Sequence, residues 1–188
     1  MVAILESPAI RRQIKPMSVE MYEDLGERVF GRRSELIRGV VLQQMSFSPL
    51  HVFLVTKLRQ FILAVLKPGN YCRDGVPIKL ADSMPEPDLA VVLGQVEDHI
   101  AVHPTTAVLA VEVSISSLDL DKEKATLYAE ANIAEYWIVI GEQKVVEVYT
   151  IPQNGLYTQR RRYSQAETIT SATLPGLTVD LAALFPAD

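Results

Sequence analysis

The chain has 188 residues, of which 48% are hydrophobic and 22% charged, and its formal net charge is −5. This balance is typical of an ordinary globular fold and excludes a disordered chain, a collagen-like repeat and a disulfide-stapled mini-protein. The acidic balance also excludes a basic protein that coats nucleic acid, and the single cysteine, Cys72, can close no internal disulfide.

The overall organisation predicts a single domain over residues 17–188, preceded by a loose arm over residues 1–16. The most apolar stretch, residues 52–66, contains two basic residues and a glutamine, so it falls short of the about 18 apolar residues that a membrane span needs. The N-terminal run MVAILESPAIRRQIK places its apolar part before its basic pair, the reverse of a secretory signal. We therefore expect a cytoplasmic protein without a membrane partner.

The first half of the chain predicts two helices around a strand pair. Ser18 is placed to cap a short helix that stops at Gly26. The segment SELIRGVVLQQMS predicts a strand pair or a bent strand around Gly39. A longer helix follows, with Ser48 as its N-cap and Pro49 in its first turn, and it ends before the sequence KPG.

The second half predicts mainly strands, interrupted by one helix. The predicted strands are YCRDGVPIKL, DLAVVL, TAVLAVEVSI, EYWIVI, KVVEVYTI and GLYTQRRRYS, and the helix is LDLDKEKATLYAEA. The central strands are apolar at consecutive positions, which is typical of strands covered on both faces. The fold class is therefore α/β or α+β, with a mixed central β-sheet flanked by helices.

Glu112 lies in the middle of the apolar strand over residues 107–115. Period two places it on the same face as Ala110 and Ser114, opposite Val111 and Val113. A carboxylate in a buried strand is costly unless it is paired or bound to a metal. The alternative is an edge or end position at which Glu112 meets solvent.

Asp88 begins a second apolar strand, directly after a proline-bracketed turn. Taken alone, it is a turn aspartate that accepts hydrogen bonds from nearby backbone N–H groups. Taken with Glu112 on a neighbouring strand, it forms an oxygen-rich site suited to Mg²⁺ or Mn²⁺.

Lys124 is the lysine that the predicted helix turns inward. At about 100° per residue it shares an arc with Leu127 and Tyr128, whereas Lys122 falls on the opposite side. A lysine beside two carboxylates can hold the attacking water and offset charge on a phosphorane-like transition state. The alternative is a side chain that extends along its apolar neighbours to reach water.

An Asp, a strand Glu and a nearby Lys at these separations resemble the PD-(D/E)XK nuclease superfamily, and the chain most resembles its Uma-two family. The resemblance runs from about residue 17 to residue 181. It is carried by SELIRGVVLQQMS with a following His51, by EPDLAVV, by VEVSISSLDLDKEKATLYAEANIAEYWIV and by the closing LPGLTVDLAALF.

The resemblance implies a restriction-endonuclease-like fold and metal-dependent cleavage of nucleic acid phosphodiesters, with Asp88 and Glu112 as the metal-binding acids. In the wider superfamily the lysine lies two residues after the strand acid, where this chain has Ser114. The Uma-two pattern instead places a lysine on the next helix, three residues after an Asp and four before a Tyr. Here that lysine is Lys124, which the helix periodicity also selects, the aspartate is Asp121 and the tyrosine is Tyr128.

Two further residues are candidates for the same site. Glu35 is expected as a further ligand or water-positioning acid, or else as a solvated strand residue. His51 lies in the first turn of its helix, where the macrodipole disfavours the imidazolium form. It either lines the site or is a partly buried neutral histidine.

Two other polar patterns carry less weight. The segment EDHIAVHP has two histidines, but its composition is typical of a loop. It also lacks a convincing third metal ligand. The run of Arg160, Arg161 and Arg162 lies on a predicted strand, so at most two of the three side chains share a face. It is either a charged edge that blocks aggregation or a set of phosphate contacts along a substrate groove.

The sequence therefore predicts an endonuclease that uses Mg²⁺ or Mn²⁺ and acts on nucleic acid, foremost DNA. The alternative in another functional class is a nucleic-acid or protein binding module on the same fold, and Ser114 in the usual lysine place favours it. A third is a homodimeric assembly protein with a vestigial site. We expect a homodimer, because nuclease folds of this size commonly pair and cutting both strands takes two sites.

Overall fold

The computed structural model describes residues 15–31, 33–44 and 46–186. The arm predicted over residues 1–16 therefore lies almost entirely outside the described residues. None of the helices in the described part of the chain combines the length and the apolar character needed to cross a membrane.

Helices and strands follow one another in the order that the hydrophobic patterns predict. The helices are α1 (Val19–Phe30), α2 (Pro49–Val65), α3 (Leu118–Glu130) and α4 (Leu181–Leu184), with a 3₁₀ turn at Val96–His99. The strands are β1 (Ser34–Ile37), β2 (Val40–Gln43), β3 (Asn70–Asp74), β4 (Leu89–Leu93), β5 (Leu109–Ser114), β6 (Glu135–Ile140), β7 (Val145–Gln153), β8 (Leu156–Ser164), β9 (Thr168–Thr170) and β10 (Thr178–Asp180).

Six strands form the central sheet, in the order β3-β4-β5-β6-β7-β8. Strands β5 and β6 are parallel and are joined across the sheet by α3, whereas each other neighbouring pair is antiparallel. The expectation of a mixed central sheet flanked by helices is therefore confirmed. Two short antiparallel pairs, β1–β2 and β9–β10, lie outside this sheet.

The sheet is buried on both faces. Helix α2 and the C-terminal segment (residues 168–185) cover one face of the sheet. The side chains that pack there against β5 and β6 include Leu54, Leu58, Ile62, Leu181, Leu184, Val111, Val113, Trp137 and Val139. Helix α3 covers the other face, where the packed side chains include Tyr128, Ala110, Tyr136, Ile138 and Ile140. Glu112 lies on this α3 face, as its period-two position predicts.

A tight hairpin sets the position of β1. Its two turn residues, Arg38 and Gly39, both have positive φ angles of 51° and 75°, which is the backbone of a type I′ turn. The sequence thus forms the strand pair around Gly39 rather than the single bent strand. Leu36 then bridges to Met84, which attaches the hairpin to the loop before β4.

The boundaries of several elements differ from the sequence prediction. Helix α1 does not stop at Gly26: the chain kinks there, at φ 47° and ψ −153°, and resumes a helical turn up to Phe30. The predicted strand YCRDGVPIKL ends at Asp74 because Gly75, with a positive φ of 55°, turns the chain out of the ladder with β4. Strand β9 is short and alternates exposed and buried residues only once, so the sequence pattern did not reveal it.

Candidate functional site

A cleft of about 570 Å³ opens at the end of the sheet where β4 begins and β5 ends. The β1–β2 hairpin, the first turn of α2 and the first turns of α3 form its walls. Six of the seven predicted site residues line it, namely Glu35, His51, Asp88, Glu112, Ser114 and Lys124. The seventh, Tyr128, lies beneath the cleft and reaches Glu112 by a hydrogen bond.

The ammonium group of Lys124 lies between two buried carboxylates. Its Nζ atom is 2.8 Å from Oε2 of Glu35 and 3.0 Å from Oε1 of Glu112. All three side chains are almost completely buried, whereas Lys122, two residues earlier on α3, is exposed. The structure therefore excludes both the solvated strand position for Glu35 and the extension of Lys124 towards water.

Burial and mutual electrostatics shift the pKa values of Lys124 and Glu112. Burial alone would lower the pKa of Lys124, but the attraction of Glu112 and Glu35 outweighs it and raises that pKa above its usual value. Burial also raises the pKa of Glu112 well above the ordinary glutamate value, although the charge of Lys124 opposes the shift. Lys124 therefore remains an ammonium ion, and Glu112 binds a proton or a cation more readily than a surface glutamate does.

Tyr128 orients the strand carboxylate from below. Its hydroxyl donates a hydrogen bond of 2.8 Å to Oε1 of Glu112. Burial raises the pKa of Tyr128 well above its usual value. The hydroxyl therefore keeps the proton that it donates.

Asp88 connects the start of β4 to the end of β5. Its Oδ2 atom accepts a hydrogen bond of 2.7 Å from the backbone N–H of Val113, and its Oδ1 atom lies 3.0 Å from Nε2 of His51. The backbone partner belongs to the neighbouring strand and not to the turn before Asp88. The carboxylate is thus held towards the cleft from two sides.

His51 is fixed by a stack of flat side chains. Its ring lies parallel to the ring of Phe47, with the two centroids 4.5 Å apart, and the guanidinium of Arg33 lies 4.1 Å from the Phe47 centroid. Ser48 caps α2 by accepting a hydrogen bond from the backbone N–H of His51. Backbone and ring together therefore direct Nε2 of His51 to Asp88.

The cleft contains one buried acid to which the sequence analysis gave no role. Asp121 is 3% exposed, accepts a hydrogen bond of 2.6 Å from Ser117 and has its pKa raised by burial. It precedes Lys124 by three residues and so shares its helix face. The family pattern includes Asp121 at this spacing, but the sequence analysis assigned it no role in the site.

The donor set fits a divalent cation that keeps several waters. No group of three or more acidic, histidine or cysteine side chains in the described part of the chain has the spacing of a closed metal cage. Mg²⁺, however, is usually held by one or two carboxylates together with water and substrate phosphates. Asp88 and Glu112 provide two such carboxylates, and seven acids in all line the cleft beside one buried lysine.

Ser114 adds an unpaired group to the same cleft. Its hydroxyl is buried near Asp121, yet it makes no hydrogen bond of good geometry to any described residue. A buried hydroxyl without a partner is costly unless water fills the gap. The hydroxyl of Ser114 is therefore available to a water molecule in the cleft.

The two histidines of EDHIAVHP lie elsewhere and have other partners. Nδ1 of His99 is 2.7 Å from the hydroxyl of Tyr71, and Nδ1 of His103 is 3.2 Å from the guanidinium of Arg73. They contribute nothing to the cleft that contains Lys124.

Comparison with known proteins gives the family. A sequence model described as "Uma2: Putative restriction endonuclease" matches residues 19–182. The fold is similar to the crystal structure of a "putative nuclease belonging to DUF820" from Anabaena variabilis, with a TM-score of 0.75 and 16% sequence identity over 90% of this chain and 98% of that chain. No protein of curated function matches the chain. Because the family match spans most of its length, the chain belongs to the Uma2 (Uma-two) family.

Proposed function

We propose that the protein is a divalent-metal-dependent endonuclease that hydrolyses phosphodiester bonds in DNA. The observation that carries the proposal is the buried ammonium of Lys124, held 2.8 Å from Glu35 and 3.0 Å from Glu112 in the cleft that also contains Asp88. Membership of a family described as restriction endonucleases supports the same activity.

In this proposal Asp88 and Glu112 would hold Mg²⁺ or Mn²⁺. When bound, the cation would lower the pKa of the attacking water, so that the water can lose its proton to solvent, and it would stabilise the charge on the phosphate and leaving oxygens. The N–H of Val113 and the ring of His51 hold the Asp88 carboxylate, and Tyr128 holds that of Glu112. Both carboxylates are therefore oriented before the substrate arrives, which lowers the cost of reorganisation during the reaction.

Lys124 acts on the attacking water and on the phosphate. Because it stays protonated, it is a hydrogen-bond donor and not a base, and it orients the water and offsets negative charge in the transition state. Glu35 holds the ammonium from the other side and positions the same water. The lysine reaches the site from α3 and not from β5. The position on β5 where the wider superfamily has its lysine is occupied by Ser114.

Cleavage of supercoiled plasmid DNA in Mg²⁺ or Mn²⁺ tests the proposal. We expect Glu112→Gln and Lys124→Ala each to lower the rate at least about 10²-fold. Matched controls are Glu97→Gln and Lys67→Ala, both exposed and remote from the cleft, which keep the wild-type rate. Metal-dependent cleavage that survives in both cleft variants would falsify the proposal.

One observation favours the second candidate, a nucleic-acid or protein binding module without catalysis. Ser114, which cannot supply a positive charge, stands at the strand position where the wider superfamily has its lysine. This candidate predicts salt-dependent DNA binding without product and no effect of Glu112→Gln. Titration of Mn²⁺ by electron paramagnetic resonance separates the two, since a nuclease binds Mn²⁺ through Glu112 and loses that binding in Glu112→Gln.

Double-strand cleavage also requires two sites, so we propose that the active form is a homodimer. Sedimentation equilibrium would give twice the chain mass of 20.9 kDa. A monomer at all concentrations that cut DNA would contradict this part of the proposal.

A further inference from the structure

A group of basic side chains flanks the cleft on the side of α3. The register of β7 and β8 pairs Arg162 with Glu147 and Arg160 with Tyr149, so both arginines lie on the α3 face of the sheet. Lys122 is exposed on α3, the helix that packs over β7 and β8. We call Lys122, Arg160 and Arg162 the α3-side basic surface.

The charge of this surface is only partly neutralised. Glu147 is 1% exposed and accepts hydrogen bonds from Arg160 at 2.7 Å and from the hydroxyl of Tyr149 at 2.8 Å. Glu147 thus offsets the charge of Arg160. Arg160 is fixed in place by this contact, and half of its side chain remains exposed, at 52%.

Arg162 connects the surface to the cleft. Its Nη2 atom donates a hydrogen bond of 2.6 Å to Oε1 of Gln143, and Gln143 lines the cleft. Gln143 is neutral, and within the described ranges Arg162 forms no ion pair with a carboxylate. Its full charge therefore lies at the rim of the cleft, although Glu142 and Asp119 line the same rim.

Arg161 lies on the other face of the same strand. It pairs in register with Val148, its guanidinium packs 4.4 Å from the centroid of the Tyr163 ring, and its charge faces Glu167 at 3.5 Å. Adjacent arginines on one strand therefore have different surroundings. Only two of the three arginines can belong to a surface that continues from the cleft.

We propose that the α3-side basic surface binds the phosphate backbone of duplex DNA next to the bond in the cleft. Arginine and lysine side chains provide most phosphate contacts in DNA complexes, and such contacts position the duplex without reading its sequence. This inference rests on the proposed nuclease function and assigns the side of the cleft along which the substrate lies. Arg160 and Arg162 are both exposed, so phosphate oxygens can reach their guanidinium groups.

The test is the salt dependence of DNA binding. Fluorescence anisotropy is measured with a labelled duplex of about three helical turns, in Ca²⁺ so that binding is followed without relying on cleavage. Each phosphate contact contributes about 0.9 to the slope of log K against log salt concentration. We expect the slope to fall by about one in Arg162→Ala and by about two in Lys122→Ala/Arg162→Ala.

The control variants test whether the slope depends on where a cation lies or only on the net charge of the protein. Arg161→Ala removes the same charge from the opposite face and should leave the slope unchanged, and Arg162→Lys should restore it. Arg160 is left in place because its removal would leave Glu147 buried without its partner. Circular dichroism checks that each variant is folded.

Two results would overturn the inference, and they differ in what they say about the nuclease proposal. If the wild type binds DNA but Arg161→Ala lowers the slope as much as Arg162→Ala, the α3-side basic surface is wrong while the nuclease proposal stands. If the wild type binds no DNA under any salt condition, both are wrong.

Discussion

The ammonium of Lys124 offsets the free-energy cost of burying the carboxylates of Glu35 and Glu112. We predict that Lys124→Met lowers the free energy of unfolding by about 3–5 kcal/mol near neutral pH, since it leaves Glu35 and Glu112 buried without their cation. The variant raises the folded-state pKa of Glu112 further, so its folded form takes up a proton at a higher pH than its unfolded chain does. Its stability therefore increases as the pH falls from neutral towards the unfolded glutamate pKa.

Urea denaturation of the wild type and Lys124→Met between neutral and mildly acidic pH measures this effect. The double variant Lys124→Met/Glu112→Gln is the control, because it removes one of the unpaired charges and should recover part of the loss. A stability difference that does not change with pH would contradict an electrostatic cause.

The hydroxyl of Tyr128 is a second residue whose contribution can be isolated. We predict that Tyr128→Phe costs about 1.5–3 kcal/mol, as is typical of a buried hydrogen bond to a charged group. Tyr157→Phe is the matched control, because its hydroxyl donates to the neutral carbonyl of Ile133 and its loss should cost about 1 kcal/mol. Thermal denaturation compares the two, and equal costs would indicate that Glu112 is not a charged acceptor.

Among the elements, the β1–β2 hairpin carries Glu35 to the cleft, and its turn depends on Gly39. A Cβ atom at this position would overlap the side chain of Pro16. We predict that Gly39→Ala lowers the free energy of unfolding by more than about 1 kcal/mol. Alanine is strained at the positive φ of this position, and its Cβ atom would also clash with Pro16.

Gly69→Ala is the control for that prediction, because Gly69 also has a positive φ, of 89°, but meets no atom within 4 Å. Chemical denaturation should show the larger loss in Gly39→Ala. Equal losses would mean that backbone strain alone acts and that the contact with Pro16 contributes nothing.

Across the whole molecule, the buried carboxylate of Glu135 fastens the C-terminal segment to the sheet. It accepts hydrogen bonds from Trp137 on its own strand and from the side chains of Ser171 and Thr173 and the backbone of Thr173. We predict that Glu135→Ala lowers stability by about 3 kcal/mol, because several buried donors lose their acceptor.

Hydrogen exchange followed by mass spectrometry locates that loss. Protection should decrease over residues 168–185 before it decreases in β5 and β6. Ser171→Ala removes only one donor and should shift the same residues less. Uniform loss of protection across the sheet would show that the segment does not open separately.

Local patterns predicted much of this fold and part of the cleft. Ser48 and Pro49 begin α2, and the sequence KPG follows its end, because capping and proline geometry act within a few residues. Helix periodicity likewise separates Lys124 from Lys122. The burial of Glu35 depends instead on the bridge between Leu36 and Met84, which lie 48 positions apart in the numbering, and no local pattern shows such a contact.

The contact between Glu135 and Trp137 has a practical consequence. Trp137 is the single tryptophan of the chain, and its indole N–H donates at 2.7 Å to the same carboxylate that holds the C-terminal segment. Detachment of that segment would change the surroundings of the indole and therefore its emission. The molecule thus carries an intrinsic fluorescent reporter, which would follow the opening of its C-terminal end in real time without any label.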